Sequence, residues 1–450
     1  MDTNKAMVEH FQEAIRIKTD WPKGARAGDA VAEAPLLRFQ DFLAAAYPHF
    51  NKDAERTVLS PYSVVYRWSG SAPSGNPILI LAHYDVVPVE QEKWTVDPFG
   101  AEIKDGYIYG RGSLDMKSIL VGVMEGAEAL CVQGFRPRED VWFAFGGDEE
   151  RSGLLGAYRA VQWFTGQKIH FSWILDEGTP IAVDMIKGIR EPLALFGIEE
   201  KGYLSMDLVV RQKPGHASQP PAVQAVAVLG AALARLVKKP FPFTLSATME
   251  EFFASLAPHA ASKGMGWVMA HARFLGNIFF KAVAGTPSIA AMLHTTVAMT
   301  QLFGSAADNV MPSEARAVIN LRLLSPWTVE TALDFVRRAV ADDRVEAGVH
   351  LEGFDPVPAN PEHALRRGPG WQIMENALQK VFPGIPALPF LMVATTDSRH
   401  YKRLAGGIFR FNPFKLNSRE LSLIHGHDER ISLENLYGAA GFYRNVLEQL

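Results

Sequence analysis

Only one cysteine, Cys131, stands among the 450 residues. That excludes an intramolecular disulfide, and with it the disulfide-framed class of secreted domains. It also excludes a zinc site built from thiolates. Cys131 lies in an apolar pattern beside Gly126 to Leu130, which predicts a buried core thiol and not a nucleophile. No run reaches the roughly 18 apolar residues of a membrane span. Met1 to Lys18 is charged and amphipathic, without the basic start and apolar centre of a signal peptide. The expectation is a soluble cytoplasmic protein. Basic charge is not in excess either. The 45 Lys and Arg are set against 49 Asp and Glu, a net charge of -4 that argues against nucleic acid as a partner. There is no G-x-S-x-G elbow and no H-E-x-x-H helix. Asp115 stands where a dinucleotide fingerprint beginning at Gly110 and Gly112 needs its third glycine.

With those classes set aside, the composition is ordinary for a globular protein, 48% hydrophobic and 21% charged, enough for two or three domains. Val64 to Trp68, Ile78 to Ala82, Asp140 to Phe145 and Ile169 to Leu175 read as strands. Ser118 to Leu130 reads as a helix with small residues on one face, and Leu154 to Phe164 as another. This alternation predicts an α/β sheet covered by helices, with ligands at the carboxyl ends of its strands. The pattern changes near Glu200. Tyr203 to Arg211 alternates like an exposed edge strand, and Ala222 to Leu236 is an amphipathic helix. Thr295 to Phe303 and Ala315 to Leu324 read as strands, Thr328 to Ala341 as a helix and Val345 to Leu351 as a strand. That order is the ferredoxin-like α+β arrangement. It predicts a domain over residues 201–354 inserted between two parts of the first, 1–200 and 355–450. The Pro-rich Asp355 to Pro361 would be the return linker. Pro240 to Ala291 is rich in Phe, Met, Ala and Trp.

Five places carry chemistry. The first strand of interest ends in His83-Tyr84-Asp85. Residues i and i+2 share a strand face, so His83 can bind a metal while Asp85 fixes its tautomer. Gly110-Arg111-Gly112-Ser113-Leu114-Asp115 sets a carboxylate at a helix start, as a first-turn acid or as a bridge between two ions. Asp148-Glu149-Glu150 follows a strand. Three acids in a row are costly without cations nearby. One of Glu149 and Glu150 can bind metal while its neighbour holds the attacking water. Asp176-Glu177-Gly178 puts further acids after a strand, and His425-Gly426-His427-Asp428-Glu429 lies near the C-terminus. Together these are donors for an O/N-ligand metal site with room for two ions.

These five segments, His83 to Asp85, Gly110 to Lys117, Gly147 to Glu150, Asp176 to Gly178 and His425 to Glu429, resemble the signature of the di-zinc aminoacylase and carboxypeptidase family. That family includes acetylornithine deacetylase and succinyl-diaminopimelate desuccinylase. The stretch from His83 through Gly112, with Trp94, Pro98 and Phe99, is most similar to the carboxypeptidase S branch, which includes secreted N-fatty-acyl amino acid hydrolases. The resemblance implies an α/β di-zinc peptidase-like catalytic domain and an inserted lid that also dimerises.

It further implies roles. His83 and Asp176 would hold one zinc, Glu150 and His425 the other, and Asp115 would bridge them, with cobalt or manganese as alternative metals. His427 competes with His425 for its position. Glu149 would be the general base and Asp85 would orient His83. His216, in the segment Pro214 to Ser218, would reach the site of a partner subunit in a homodimer, assisted by Asn309. Arg399 would bind the substrate carboxylate, with Arg403 and Arg410 as neighbours. The implied substrate is an N-acyl amino acid with an apolar acyl group, or alternatively a dipeptide. Phe252, Phe253, Met265, Trp267, Phe274, Phe279, Phe280 and Met292 would either line an acyl groove or pack the core of the inserted domain.

Overall fold

Runs of β-branched and aromatic residues, apolar on both faces, become the strands of one large sheet. The computed structural model describes every residue except 1–2, 23, 284 and 359–367. Six strands come first: β1 (Ala54–Ser60), β2 (Ser63–Trp68), β3 (Ile78–His83), β4 (Val141–Gly146), β5 (Trp173–Ala182) and β6 (Leu193–Glu200). Then follow β7 (Gly202–Arg211), β8 (Thr296–Phe303), β9 (Glu314–Leu323) and β10 (Glu346–Phe354), and finally β11 (Ala387–Met392) and β12 (Ile408–Leu416). The large sheet has the order β1-β2-β4-β3-β5-β12-β6-β11. Its centre, β4-β3-β5-β12, is parallel. Every residue of β3 and of β4 is buried, which is why neither strand alternates in sequence.

Helix α1 (Lys117–Val132) packs on this sheet and against the C-terminal helix, Leu433–Leu447. The small residues are what permit the approach. A Cβ on Gly126 would come within 2.8 Å of the Arg444 backbone nitrogen. Cys131 is buried in the same core, as its pattern predicts.

The second sheet has the order β8-β9-β7-β10, all antiparallel. Helices α2 (Ala225–Lys238) and α3 (Val329–Val340) cover one face with a separate core. The expectation of an edge for Tyr203 to Arg211 is corrected. This strand, β7, is interior, paired with β9 on one side and β10 on the other. It alternates because helices cover one face only, not because it borders solvent. The two sheets join where Glu200 and Val357 exchange backbone hydrogen bonds. A Cβ on Gly202 would lie 2.3 Å from the Phe354 carbonyl oxygen, so glycine is required at that crossing. The expected return linker Asp355 to Pro361 lies partly outside the described residues.

Pro240 to Ala291 forms a cluster of short helices, among them Ala247–Leu256, Lys263–Ala270, Asn277–Val283 and Pro287–Leu293. Phe252, Phe253, Phe279 and Met292 are buried there with Leu193 and Leu195 of β6 and Leu388 and Leu391 of β11. The cluster therefore packs on the edge of the large sheet.

Candidate active site

β3 ends in His83, β4 runs out into Gly147 to Glu150, and β5 carries Asp176 and Glu177. Asp115 precedes α1, and His425 lies in the loop before the C-terminal helix. The strands are neighbours, so polar groups at their carboxyl ends converge.

Two facing groups result. His83, Glu149 and Glu177 offer ligand atoms within 4.8 Å of one another, and so do Asp115, Glu150 and His425. Asp115 links them. Its Oδ1 lies 3.0 Å from His83 Nε2 and its Oδ2 lies 3.1 Å from His425 Nε2. Glu150 Oε1 is 3.1 Å from His425 Nε2, and Glu177 Oε1 is 3.4 Å from His83 Nε2. Donor atoms around a tetrahedral zinc lie roughly 3.3 Å apart. The donor set therefore fits two divalent cations sharing one carboxylate.

The electrostatics make the same demand. Burial opposes a charge on His83, yet Glu177, Asp115 and Asp85 outweigh it and hold the imidazole pKa well above its usual range. Hydrogen bonds that His425 donates to Asp115 and Glu150 push its pKa up to about 10. Burial opposes ionisation of Asp115 too, but His425 and His83 hold it below the ordinary carboxylate range. Burial, with Glu150 and Asp115, pushes Glu149 up to about 8 against the pull of His83 and Arg399. Carboxylates this crowded call for positive charge among them.

Two buried groups set the geometry. Asp85 Oδ1 sits 3.3 Å from His83 Nδ1, and the Asp85 carboxylate accepts the backbone N–H groups of Glu149 and Glu150. One side chain thus fixes both an imidazole and the turn carrying two acids. Glu429 forms an ion pair of 2.5 Å with Arg111, and both are buried. Glu429 also accepts the backbone N–H groups of Leu114 and Asp115, while Arg111 donates to the His425 carbonyl. This pair ties the Asp115 turn to the His425 loop. His427 points elsewhere, 3.9 Å from Glu90, so the geometry selects His425.

Asp176, the ligand expected beside His83, accepts the backbone N–H groups of Ser398 and Glu177. Glu177 faces His83 instead. The pairing of β5 with β12 jumps from Asp176–Arg410 to Thr179–Phe411, and this irregularity re-aims the side chains between. Arg399 borders the cavity, but its guanidinium donates to the Thr396 and Ser152 carbonyls and lies 3.4 Å from Glu149. Arg410 is fully buried against Glu200 and Ser398, and Arg403 is exposed outside the cavity. Sequence reasoning missed Arg322, a second arginine on the cavity wall, stacked on Tyr203 across the β7–β9 pair. Its only sequence signal is its place on the alternating β9 strand. His216 and Asn309 sit side by side where Gly215–His216 pairs with Val310–Met311, with Ala217 donating to the Asn309 carbonyl. Both are exposed, and neither lines the cavity of this chain.

The cavity over the two groups holds about 620 Å3, within the ordinary range of small-molecule sites. Leu114, Phe390, Met392, Val393, Leu421 and Ile424 form its apolar wall. None of the eight long side chains considered for an acyl groove in the helical cluster reaches it. Those that are buried pack the core behind Phe390.

Two O/N-ligand metal positions beside a buried glutamate are the equipment of a metal-dependent hydrolase. The chain belongs to Peptidase family M20/M25/M40, whose model matches residues 79–449. It is 34% identical to an N-fatty-acyl-amino acid synthase/hydrolase of Xenopus tropicalis, over 99% of this chain and 86% of that protein. It is 33% identical to a probable carboxypeptidase S-like protein of Dictyostelium discoideum, over 92% of this chain and 80% of the other. In fold it resembles an M20 family metallo-carboxypeptidase of Sulfolobus solfataricus, with a TM-score of 0.71, 16% identity and 98% of each chain covered. Among the described residues, no helix is long and apolar enough to cross a membrane.

Proposed function

We propose that this enzyme hydrolyses the amide bond of N-acyl amino acids with an apolar acyl group, releasing a carboxylic acid and a free amino acid. One observation carries the reading: the Asp115-bridged groups lie under a cavity with an apolar wall and two arginines. The name of the Xenopus tropicalis relative, an N-fatty-acyl-amino acid synthase/hydrolase, supports the same reading. His83 and Glu177 would hold one zinc, Glu150 and His425 the other, and Asp115 both; cobalt or manganese would suit the same donors. Two such ions, when bound, supply a water of lowered pKa and polarise the scissile carbonyl. Glu149 would accept a proton from the attacking water and give it to the leaving nitrogen. Its burial and raised pKa suit a group that must both accept and give a proton near neutrality. Arg322, with Arg399, would receive the free carboxylate. His216 and Asn309 of a second copy would hydrogen-bond the carbonyl oxygen as charge develops.

The test is a substrate panel with and without a chelator: N-acetyl, N-octanoyl and N-oleoyl forms of Leu and Phe, with Gly-Leu. Chelator-sensitive cleavage that improves with acyl length is expected. Cleavage of Gly-Leu alone would move the function to dipeptide carboxypeptidase at the same site.

A further inference from the structure

From Phe252 to Ala307 the chain has no Asp or Glu, although acids are 49 of its 450 residues; Lys263, Arg273 and Lys281 lie within that stretch. The same stretch exposes large apolar side chains. Phe274 is 86% exposed, Ile278 70% and Trp267 54%. These are not remnants of a loose core, because Phe252, Phe253 and Phe279 of the same helices are buried to 2% or less. Trp267 stacks on His271, which holds the indole at the surface. Arg273 pairs with Glu250, so the basic character rests chiefly on Lys263 and Lys281. Exposed apolar side chains and lysines in one stretch of sequence without acids are the composition of helices that lie in an anionic lipid interface.

We infer that the helices Lys263–Ala270 to Asn277–Val283 dock this enzyme on an anionic phospholipid surface, with Trp267, Phe274 and Ile278 entering the headgroup boundary. Charge complementarity selects that occupant. The whole chain is net negative, so attraction to an anionic surface has to be local, and this is its longest stretch without Asp or Glu. The placement is also apt. The core behind these helices reaches Phe390 on the cavity wall, so an amphipathic solute partitioned into a bilayer would meet the enzyme near its site. The docking does not depend on which amide is cleaved.

The test is flotation of the full-length enzyme with vesicles of phosphatidylcholine alone and of phosphatidylcholine with phosphatidylglycerol, at low and at high salt. The enzyme should float with the anionic vesicles only, and less so at high salt. Phe274→Asp with Ile278→Asp, and separately Lys263→Glu with Lys281→Glu, should each lower binding by about tenfold or more. Neither pair should alter the melting temperature. Trp267 emission, isolated by subtracting the Trp267→Phe variant, should shift to the blue on binding. Failure of the native enzyme to float at low salt, or native-level binding by both double variants, would overturn the inference. So would an aspartate variant that turns a dimer into a monomer while the native enzyme ignores vesicles, since the face would then join two copies. The readout is binding, so a failed substrate panel leaves it intact.

Discussion

At the scale of single residues, the neighbours Asp176 and Glu177 decide how the site is read. Both are acids at a strand end, and the sequence offers no means of choosing between them. In the structure the pairing of β12 with β5 skips residues and places Asp176 on the Ser398 amide and Glu177 beside His83, which supports Glu177 as the proposed ligand. Asp176→Asn should therefore keep both metal equivalents, while Glu177→Ala should lose about one, measured by atomic absorption after dialysis. Equal loss from both variants would return Asp176 to the ligand set. Glu149 is proposed as the base because adjacent residues diverge, so one of Glu149 and Glu150 can hold the attacking water while the other binds metal. Glu149→Gln should retain metal and lower kcat by roughly 10²- to 10⁴-fold. Loss of metal instead of turnover would make Glu149 a ligand, as its place beside His83 and Glu177 also allows.

At the scale of elements, most strands and helices follow from apolar pattern alone, because β3, β4 and α1 are buried almost throughout. What the pattern does not carry is adjacency. Tyr203 to Arg211 alternates whether it lies at an edge or in the middle, and only β10, returning from the far end of the chain, makes it interior. The Arg111–Glu429 pair is another case of distant segments meeting. It joins turns 318 positions apart, and both charges are buried. Glu429→Ala would leave Arg111 buried without its partner carboxylate, so a loss of about 3–5 kcal/mol is expected in urea unfolding. Glu429→Gln keeps an acceptor for Leu114 and should recover part of it. The N-terminal helix, Thr3–Arg16, gives a pH-dependent counterpart. His10 Nδ1 lies 2.6 Å from Glu125 Oε1 on α1, and that hydrogen bond raises the His10 pKa above 6.5 despite partial burial. A raised folded pKa stabilises most at low pH. The contribution is fully present below about 6.5 and disappears as pH rises through the folded value. His10→Gln should accordingly narrow the gap between melting temperatures at pH 6 and pH 9. An unchanged gap would remove the pair from the pH dependence.

At the scale of the whole molecule, two groups proposed for the chemistry lie away from the site. The cavity has donors for metal and arginines for a carboxylate, but His216 and Asn309 stand exposed on the inserted domain outside it. The same domain leaves one long edge open. β8 is at the border of its sheet and exposed from Met299 to Phe303, with Leu302 and Phe303 facing solvent. Unpaired edges that carry apolar side chains invite pairing with another chain. Subunit mixing tests this without a structure of the dimer. His216→Ala alone and Glu149→Gln alone should each be nearly inactive. If His216 acts across subunits, a mixed dimer holds one complete site, with Glu149 from one chain and His216 from the other. An equal mixture, exchanged through mild denaturant, should then regain about a quarter of native turnover, since half of the dimers are mixed and each has one working site of two. A mixture that stays inactive, with mixed dimers demonstrated by differential tagging, would confine each site to its own chain. His216 would then have to reach the cavity by closure of its own domain.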